Sequence, residues 1–183
     1  MFKINEETGL LEDAIQIESP NCDLRPSGTE INLIVIHGIS LPPAEFGGGY
    51  IEQFFSNNLD TSQHPYFEEI KDVQVSSHLL IERTGTVKQF VPFNKRAWHA
   101  GVSQFKNQDC CNDFSIGIEL EGTDDIEYSN LQYDVLGQVC QSLLSTYSSI
   151  LEENIVGHCD IAPGRKTDPG ESFDWERFQA KWS

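Results

Sequence analysis

The segment INLIVIHGIS, residues 31–40, is the stretch of sequence that decides the fold. It is a continuous apolar run, rich in β-branched residues, that leads to a histidine, His37. A run without polar alternation is typical of a strand that is buried on both faces. The segment therefore predicts a covered central strand, with His37 near its end, where a side chain leaves the core and meets a cleft.

Two further segments predict strands. VSSHLLIERTGTVKQFVPF (75–93) reads as two strands joined through Thr84-Gly85, which is a hairpin signal. FSIGIELEG (114–122) alternates between an apolar face, which begins at Phe114, and a second face with Ser115, Gly117, Glu119 and Glu121. Side chains on that second face are expected to share one side of the strand.

Helices are predicted between and after these strands. YIEQFFSNNL (50–59) has helical spacing of apolar residues. SNLQYDVLGQVCQSLLSTY (129–147) opens with a Ser-x-x-Gln capping box and carries an apolar stripe of Leu131, Val135, Val139 and Leu143. FDWERFQAKW (173–182) predicts a short final helix, and residues 1–29 predict an irregular, partly helical lead-in. Together the elements predict one α/β domain, 1–183, with a central mixed sheet flanked by helices.

Composition restricts the partners. The chain has 12 Lys and Arg against 29 Asp and Glu, a formal net charge of −17. This argues against nucleic acid or an anionic membrane as the main partner. Four cations lie in two short segments, at Lys95, Arg96, Arg165 and Lys166, which indicates either scattered positive charge or a local patch for an anionic ligand. Nothing in the composition demands more than a monomer.

The first residues and the cysteines indicate a compartment. MFKINEETGLLEDAIQIE (1–18) carries acids where a signal peptide would be apolar. The five cysteines form an odd set without the spacing of a disulfide framework. Both observations predict a cytoplasmic protein.

Two histidines suggest a metal site. His37 ends the buried strand, and His158 opens the broken loop GHCDIAPGRKTDPG (157–170). With one carboxylate they would form a three-ligand site with an open position, which is the arrangement of catalytic zinc. Asp160 and Asp168 both lie on this loop, and spacing does not choose between them. Taken alone, each histidine is more often a structural residue.

Other polar residues suggest catalysis and binding. Glu119 and Glu121 project from the same strand face, where a carboxylate is held rigidly enough for general acid–base chemistry, although a solvated strand face explains them equally well. Lys166 is either a surface lysine or a donor to a developing oxyanion. Trp98 and His99 are either a buried pair or the wall of a groove that stacks on a sugar or peptide.

Several segments become informative when they are read together. They are SPNCDLRP (19–26), ISLPPAEFGG (39–48), VPFNKRAWHAGVSQF (91–105), CNDFSIGIELEGTD (111–124) and GHCDIAPGRKTDPG (157–170) with FDW (173–175). In this order and spacing the chain resembles the bacterial zinc amidases that cleave N-acetylmuramoyl-L-alanine bonds. The resemblance covers nearly the whole chain and implies the central mixed sheet with helices of that family.

The resemblance also implies a function and its residues. It implies hydrolysis, in peptidoglycan recycling, of the amide between the lactyl group of (1,6-anhydro-)N-acetylmuramic acid and the L-Ala of the stem peptide, which is a small-molecule muropeptide substrate. One Zn²⁺ would be bound by three residues, two would be catalytic, and two would bind substrate. These are His37, His158 and Asp168 for the metal, Glu119 and Lys166 for catalysis, and Trp98 and His99 for the substrate.

Two positions depart from the family, and other functions remain open. Gly38 stands where close relatives have Asn, and Cys110 stands where they have Arg. Some peptidoglycan-recognition proteins of this fold bind muropeptides without cutting them, but they usually lack a zinc ligand. A phage-type or envelope amidase and an acidic domain with a structural metal are the remaining alternatives.

Overall fold

The computed structural model describes residues 1–181 of the chain. Its strands, numbered along the chain, are β1 (Ile4–Asn5), β2 (Leu10–Leu11), β3 (Ile15–Gln16), β4 (Cys22–Leu24), β5 (Leu33–Ile39), β6 (Leu79–Ile81), β7 (Val87–Gln89), β8 (Lys95–Ala97), β9 (Gln104–Phe105), β10 (Gln108–Asp109), β11 (Ser115–Glu121) and β12 (Ile155–Gly157). Its helices are α1 (Tyr50–Phe55), α2 (Pro65–Ile70), α3 (Asn130–Thr146), α4 (His158–Ile161) and α5 (Trp175–Gln179).

A six-stranded sheet in the order β12-β5-β11-β6-β7-β3 forms the centre of the molecule. β12, β5, β11 and β6 run parallel to their neighbours, and β6 and β7 form an antiparallel hairpin. The sheet is therefore mixed, as the sequence predicts. β5 lies inside the sheet with Leu33, Ile34, Val35 and Ile36 fully buried, which confirms the covered central strand in residues 31–40.

Apolar layers cover both faces of the central strands. Ile34 and Ile36 of β5 pack in one cluster with residues of α3 and α5. Leu33 and Val35 pack on the opposite face, in a cluster that includes Ile161 of α4. Because successive side chains alternate in a strand, His37 lies on the same face as Leu33 and Val35. Each fully buried aliphatic side chain contributes roughly 1.5–3 kcal/mol to folding, so the packing of both faces strongly stabilises these strands.

The long helix confirms its predicted cap and most of its predicted apolar stripe. The side chain of Ser129 accepts from the N–H of Gln132, and the Gln132 side chain accepts from the N–H of Ser129. Val139 and Leu143 are fully buried and Val135 packs against the core, whereas Leu131 is 54% exposed. At the start of the helix the buried residue is Gln132, whose amide donates to the carbonyls of Ile81 and Glu121.

Other boundaries differ from the sequence prediction. Residues 1–29 contain four short strands and no helix, because β3 pairs with β7 and β4 pairs with β8. α1 ends at Phe55 and not at residue 59, since Asn57 adopts a left-handed backbone with φ of 58°. The final helix ends at Gln179, and the predicted residue Trp182 lies outside the described residues.

Within residues 1–181 no helix combines the length and the apolar character that a bilayer crossing requires.

Candidate active site

Two adjacent parallel strands present the first two functional side chains. β11 pairs with β5 in a register that places Glu119 opposite His37. Both side chains lie on the same face of the sheet and are nearly buried, with 8% of Glu119 and 1% of His37 exposed. The second face of β11 is therefore not a solvated surface. At the carboxyl ends of the strands it carries polar side chains that are nearly buried.

Three candidate metal ligands meet above His37. Its Nδ1 lies 2.9 Å from Nδ1 of His158 and 3.2 Å from Oδ2 of Asp168. The remaining side of this triangle, from His158 Nδ1 to Asp168 Oδ2, is 3.0 Å. Within the described part of the chain these three residues form the one group of His, Cys, Asp or Glu side chains that could hold a metal ion. We call it the ligand triangle.

The loop after β12 chooses between the two aspartates. The carbonyl of Asp168 accepts from the N–H of Cys159 at 3.0 Å, which folds the loop back so that Asp168 reaches His158. Asp160 faces elsewhere, since its Oδ2 accepts from the backbone N–H of Gly157 at 2.7 Å. Asp160 thus holds the start of α4, and Asp168 completes the ligand triangle.

The protonation of the ligand triangle suits a cation. Burial lowers the pKa of His37 to about 4, so its imidazole is neutral at neutral pH. Burial by itself would raise the pKa of Asp168, but the neighbouring imidazoles of His158 and His37 outweigh burial and hold the pKa well below its ordinary value. Nε2 of His158 lies 3.2 Å from the carbonyl of Ala100, which can accept from it in the tautomer that leaves Nδ1 free for a metal.

The geometry fits zinc. Donors about 2.0–2.1 Å from a tetrahedral zinc ion lie roughly 3.3 Å apart, close to the sides of the ligand triangle. Two imidazoles and one carboxylate are also the donor set of catalytic zinc, in which the fourth position is open. His37, His158 and Asp168 could therefore hold the ion that the sequence suggests.

Glu119 is a carboxyl group with an unused oxygen. Its Oε1 lies 4.0 Å from Nδ1 of His37, whereas its buried Oε2 has no hydrogen-bond partner among the described residues. Burial, reinforced by the charge of Asp168, raises the pKa of Glu119 well above its ordinary value. A buried carboxyl group without a donor is costly, and such groups are concentrated where proton transfer takes place.

A cavity of about 290 Å³ opens onto the ligand triangle and Glu119. His99 and Lys166 also line it, and Lys166 lines a second, wider groove of about 1100 Å³ together with Asp124, Asp125 and Trp175. The structure therefore brings six of the seven predicted site residues to one cavity. Trp98 is half-buried next to His99 and does not line either space, and its Nε1 has no hydrogen-bond partner within residues 1–181.

One wall of the cavity was not foreseen from the sequence. It consists of side chains from α1, α2 and the loop after α2, namely Phe54, Tyr66, Ile70, Val73 and Val75. Their spacing is that of ordinary core residues, so no sequence signal separated them from the core. They give the cavity an apolar side opposite the charged groups.

One of the two departures from the family has a steric explanation. A Cβ atom on Gly38 would lie 2.4 Å from the hydroxyl oxygen of Tyr128, which donates to the carbonyl of Pro169. A larger residue at position 38 would therefore require the Tyr128 hydroxyl to move. Cys110 is exposed and has a left-handed backbone with φ of 62°. Nothing in its contacts explains why it stands there.

Comparisons with known proteins agree with this geometry. A family model described as N-acetylmuramoyl-L-alanine amidase matches residues 27–171. The 1,6-anhydro-N-acetylmuramyl-L-alanine amidase AmpD of Haemophilus influenzae is 53% identical over 179 residues, which are 97% of this chain and 97% of that protein. A crystal structure of a selenomethionine AmpD derivative aligns with a TM-score of 0.94 and 50% identity, over 98% of this chain and 99% of that chain.

A solved complex shows a more distant relative with its substrate. AmiD from E. coli, bound to anhydro-N-acetylmuramic acid-L-Ala-D-γ-Glu-L-Lys, aligns with a TM-score of 0.59 and 28% identity. The alignment covers 86% of this chain and 60% of that chain.

Proposed function

The chain belongs to the N-acetylmuramoyl-L-alanine amidase family, and we propose that it works with one zinc ion, a buried glutamate and a lysine. It hydrolyses the amide between the lactyl group of 1,6-anhydro-N-acetylmuramic acid and the L-Ala of the stem peptide, in peptidoglycan recycling. The ligand triangle next to the unpaired carboxyl group of Glu119 is the observation that carries the proposed mechanism.

His37, His158 and Asp168 hold the metal in this proposal. Two neutral imidazoles and one carboxylate leave a divalent ion with a net charge of +1. A zinc ion in such a site polarises the scissile carbonyl and lowers the pKa of water from about 15.7 to about 7. The cavity of about 290 Å³ provides space for the reacting amide on the open side of the ligand triangle.

Glu119 moves the proton. Its raised pKa and unpartnered Oε2 make it able both to accept a proton from the attacking water and to hold that proton inside the cavity. The proton then passes to the nitrogen of L-Ala, because an amide nitrogen leaves only once it is protonated. General acid–base catalysis of this kind contributes roughly 10²–10⁴-fold.

Lys166 stabilises the developing charge on the carbonyl oxygen. Its side chain is exposed and lies where the catalytic cavity meets the wider groove, so a substrate in that groove passes beside its ammonium group.

Trp98 and His99 stay predictions as substrate-binding residues. The cytoplasmic location and the monomeric state also stay predictions, and the five free thiols suit a reducing compartment.

The two loop aspartates allow a sharp test of the metal site. We expect Asp168→Asn to lose tightly bound zinc and the zinc-dependent release of peptide from 1,6-anhydro-N-acetylmuramoyl-tripeptide. Asp160→Asn is the matched control, because its amide oxygen can still accept from Gly157. For each variant, zinc content is measured by native mass spectrometry, and peptide release is measured before and after addition of a chelator. Stoichiometric zinc in Asp168→Asn would rule out this ligand set.

A further inference from the structure

His99 lies between His37 and a buried serine. Its Nδ1 is 2.9 Å from Nε2 of His37, and its Nε2 is 3.0 Å from Oγ of Ser115. Ser115 is fully buried, and 9% of His99 is exposed. The three side chains form a continuous hydrogen-bonded chain that ends at the ligand triangle.

The direction of each of these hydrogen bonds follows from the bond that Ser115 makes with the backbone. The hydroxyl of Ser115 donates to the carbonyl of Cys111 at 2.6 Å, since a carbonyl can only accept. The serine has no second proton, so its oxygen accepts from Nε2–H of His99. A neutral imidazole has one donor and one acceptor, and Nδ1 of His99 is therefore an acceptor.

The same logic determines the tautomer of His37. Because Nδ1 of His99 accepts, Nε2 of His37 must carry the proton and donate it. Nδ1 of His37 is then unprotonated, and its lone pair points at His158 and Asp168. A metal ligand needs this lone pair, whereas the other neutral tautomer of His37 would place a proton there.

The surrounding backbone holds the ring of His99 in place. A Cβ atom on Gly117 would lie 2.5 Å from that ring, so β11 carries a glycine where the imidazole rests against it. On the other side, Oδ1 of Asn112 accepts from the backbone N–H groups of His99 and Ala100, at 3.0 and 2.7 Å. The ring position is thus defined by close packing and by hydrogen bonds.

We propose that His99 is a positioning residue which, together with Ser115 and the carbonyl of Cys111, locks His37 in its metal-binding tautomer. We call this chain the His99 relay. The inference rests on the proposed function insofar as His37 binds zinc, but the tautomer itself is a property of the metal-free protein. Second-sphere partners of this type typically account for 10–100-fold in metal affinity.

The first test reads the tautomers directly. Metal-free protein with ¹⁵N-labelled histidine is studied by two-bond ¹H–¹⁵N correlation, and His37→Gln and His99→Gln identify the two rings. We expect Nε2 of both rings to carry a proton and Nδ1 of His99 to be unprotonated. An Nδ1–H tautomer at either His37 or His99 overturns the His99 relay, whatever the protein does with zinc.

The second test measures zinc affinity by competition with a chromophoric chelator. We expect His99→Leu to bind zinc about 10–100-fold more weakly than the original protein. His99→Asn should recover most of that affinity, since its Oδ1 can replace Nδ1 as the acceptor for His37. Equal affinity of the Leu and Asn variants overturns the proposal, because a purely structural role would not distinguish them.

A serine pair supplies the matched control. Ser115→Ala should weaken zinc binding, whereas Ser77→Ala should not, since the equally buried hydroxyl of Ser77 has no partner among the described residues. Identical zinc affinities of the two variants would contradict the relay. If the original protein binds no zinc, the proposed function fails, and the tautomer measurement still decides the relay.

Discussion

Glu119 and Glu121 lie two residues apart on the same face of β11 and are about equally buried, yet their surroundings differ completely. Glu121 accepts from the backbone N–H of Gly47 with one oxygen and from that of Arg83 with the other. Oε2 of Glu119 receives no hydrogen bond from the residues that the structure describes, and the side chain lines the cavity. Glu121 joins two loops to the sheet, whereas Glu119 is the proposed proton carrier.

In the proposed mechanism this difference lets a single strand carry a structural and a reactive copy of one side chain. Burial is shared, so burial alone does not make a carboxyl group catalytic. The distinguishing feature is the number of donors that satisfy the charge. An unsatisfied carboxyl group retains a raised pKa and can exchange a proton, whereas a satisfied one is a fixed acceptor.

The largest difference between the two glutamates should appear in the rate. We expect Glu119→Gln to lower kcat for peptide release by roughly 10²–10⁴-fold, because the variant cannot take up the proton from water. Glu121→Gln should lose much less, since its side chain does not line the cavity. Release of tripeptide followed by mass spectrometry measures both, and equal losses would erase the functional distinction between the two residues.

Lys166, which lines the same cavity as Glu119, sharpens the comparison. We expect Lys166→Met to lower kcat by roughly 10²–10³-fold, as for the loss of one oxyanion donor. Lys3→Met, an exposed change of the same charge far along the sequence, is the control for net charge. A loss confined to KM would assign Lys166 to substrate binding and remove it from the transition state.

For folding stability we expect the opposite order, with the larger loss on substitution of Glu121. Glu121→Ala removes the acceptor of two partly buried hydrogen bonds, from Gly47 and Arg83, and should cost about 1–3 kcal/mol of unfolding free energy. Glu119→Ala removes a buried carboxyl group that lacks donors, so we expect metal-free protein to be unchanged or more stable. Urea unfolding of the metal-free variants measures both, and a larger loss for Glu119→Ala would contradict the assignment of partners.

The smallest effect concerns pH. Because burial raises the pKa of Glu119, the folded metal-free protein retains a proton that the unfolded chain releases above pH 4.5. The contribution of this group to stability is therefore present below that pH and is lost as pH rises toward the folded-state pKa. We expect the stability of the original protein, relative to Glu119→Gln, to fall as pH rises. A constant difference between pH 4.5 and 8 would argue against a raised pKa.

Local patterns predicted the scaffold well. The apolar run before His37 predicted the buried central strand, and Ser129 with Gln132 predicted the start of α3. The alternation in residues 114–122 separated the two faces of β11, but it could not show that the polar face is covered. That cover comes from segments outside β11, namely the segment that contains His99 and the loops that contain Gly47 and Arg83.

The site needed more than local patterns. Asp160 and Asp168 were equivalent by spacing, because the choice depends on how the loop folds back to Cys159. Glu119 and Glu121 were equivalent by alternation, because the choice depends on Gly47 and Arg83. Resemblance to the family selected Asp168 and Glu119, and the three-dimensional contacts supply the physical reason for each selection.

The parallel register of β5 and β11 has a consequence for how the proposed metal ion would leave the site. His37 and Glu119 are attached to the buried central strands, and buried core strands open less often than surface segments. His158 begins α4 and Asp168 lies in the loop after it, where the hydrogen bond from the N–H of Cys159 to the carbonyl of Asp168 is one of the contacts that hold the segment. Local opening of that segment would separate His158 and Asp168 from His37. Exchange of a bound ion would then not require global unfolding, since the two strand residues would stay in place.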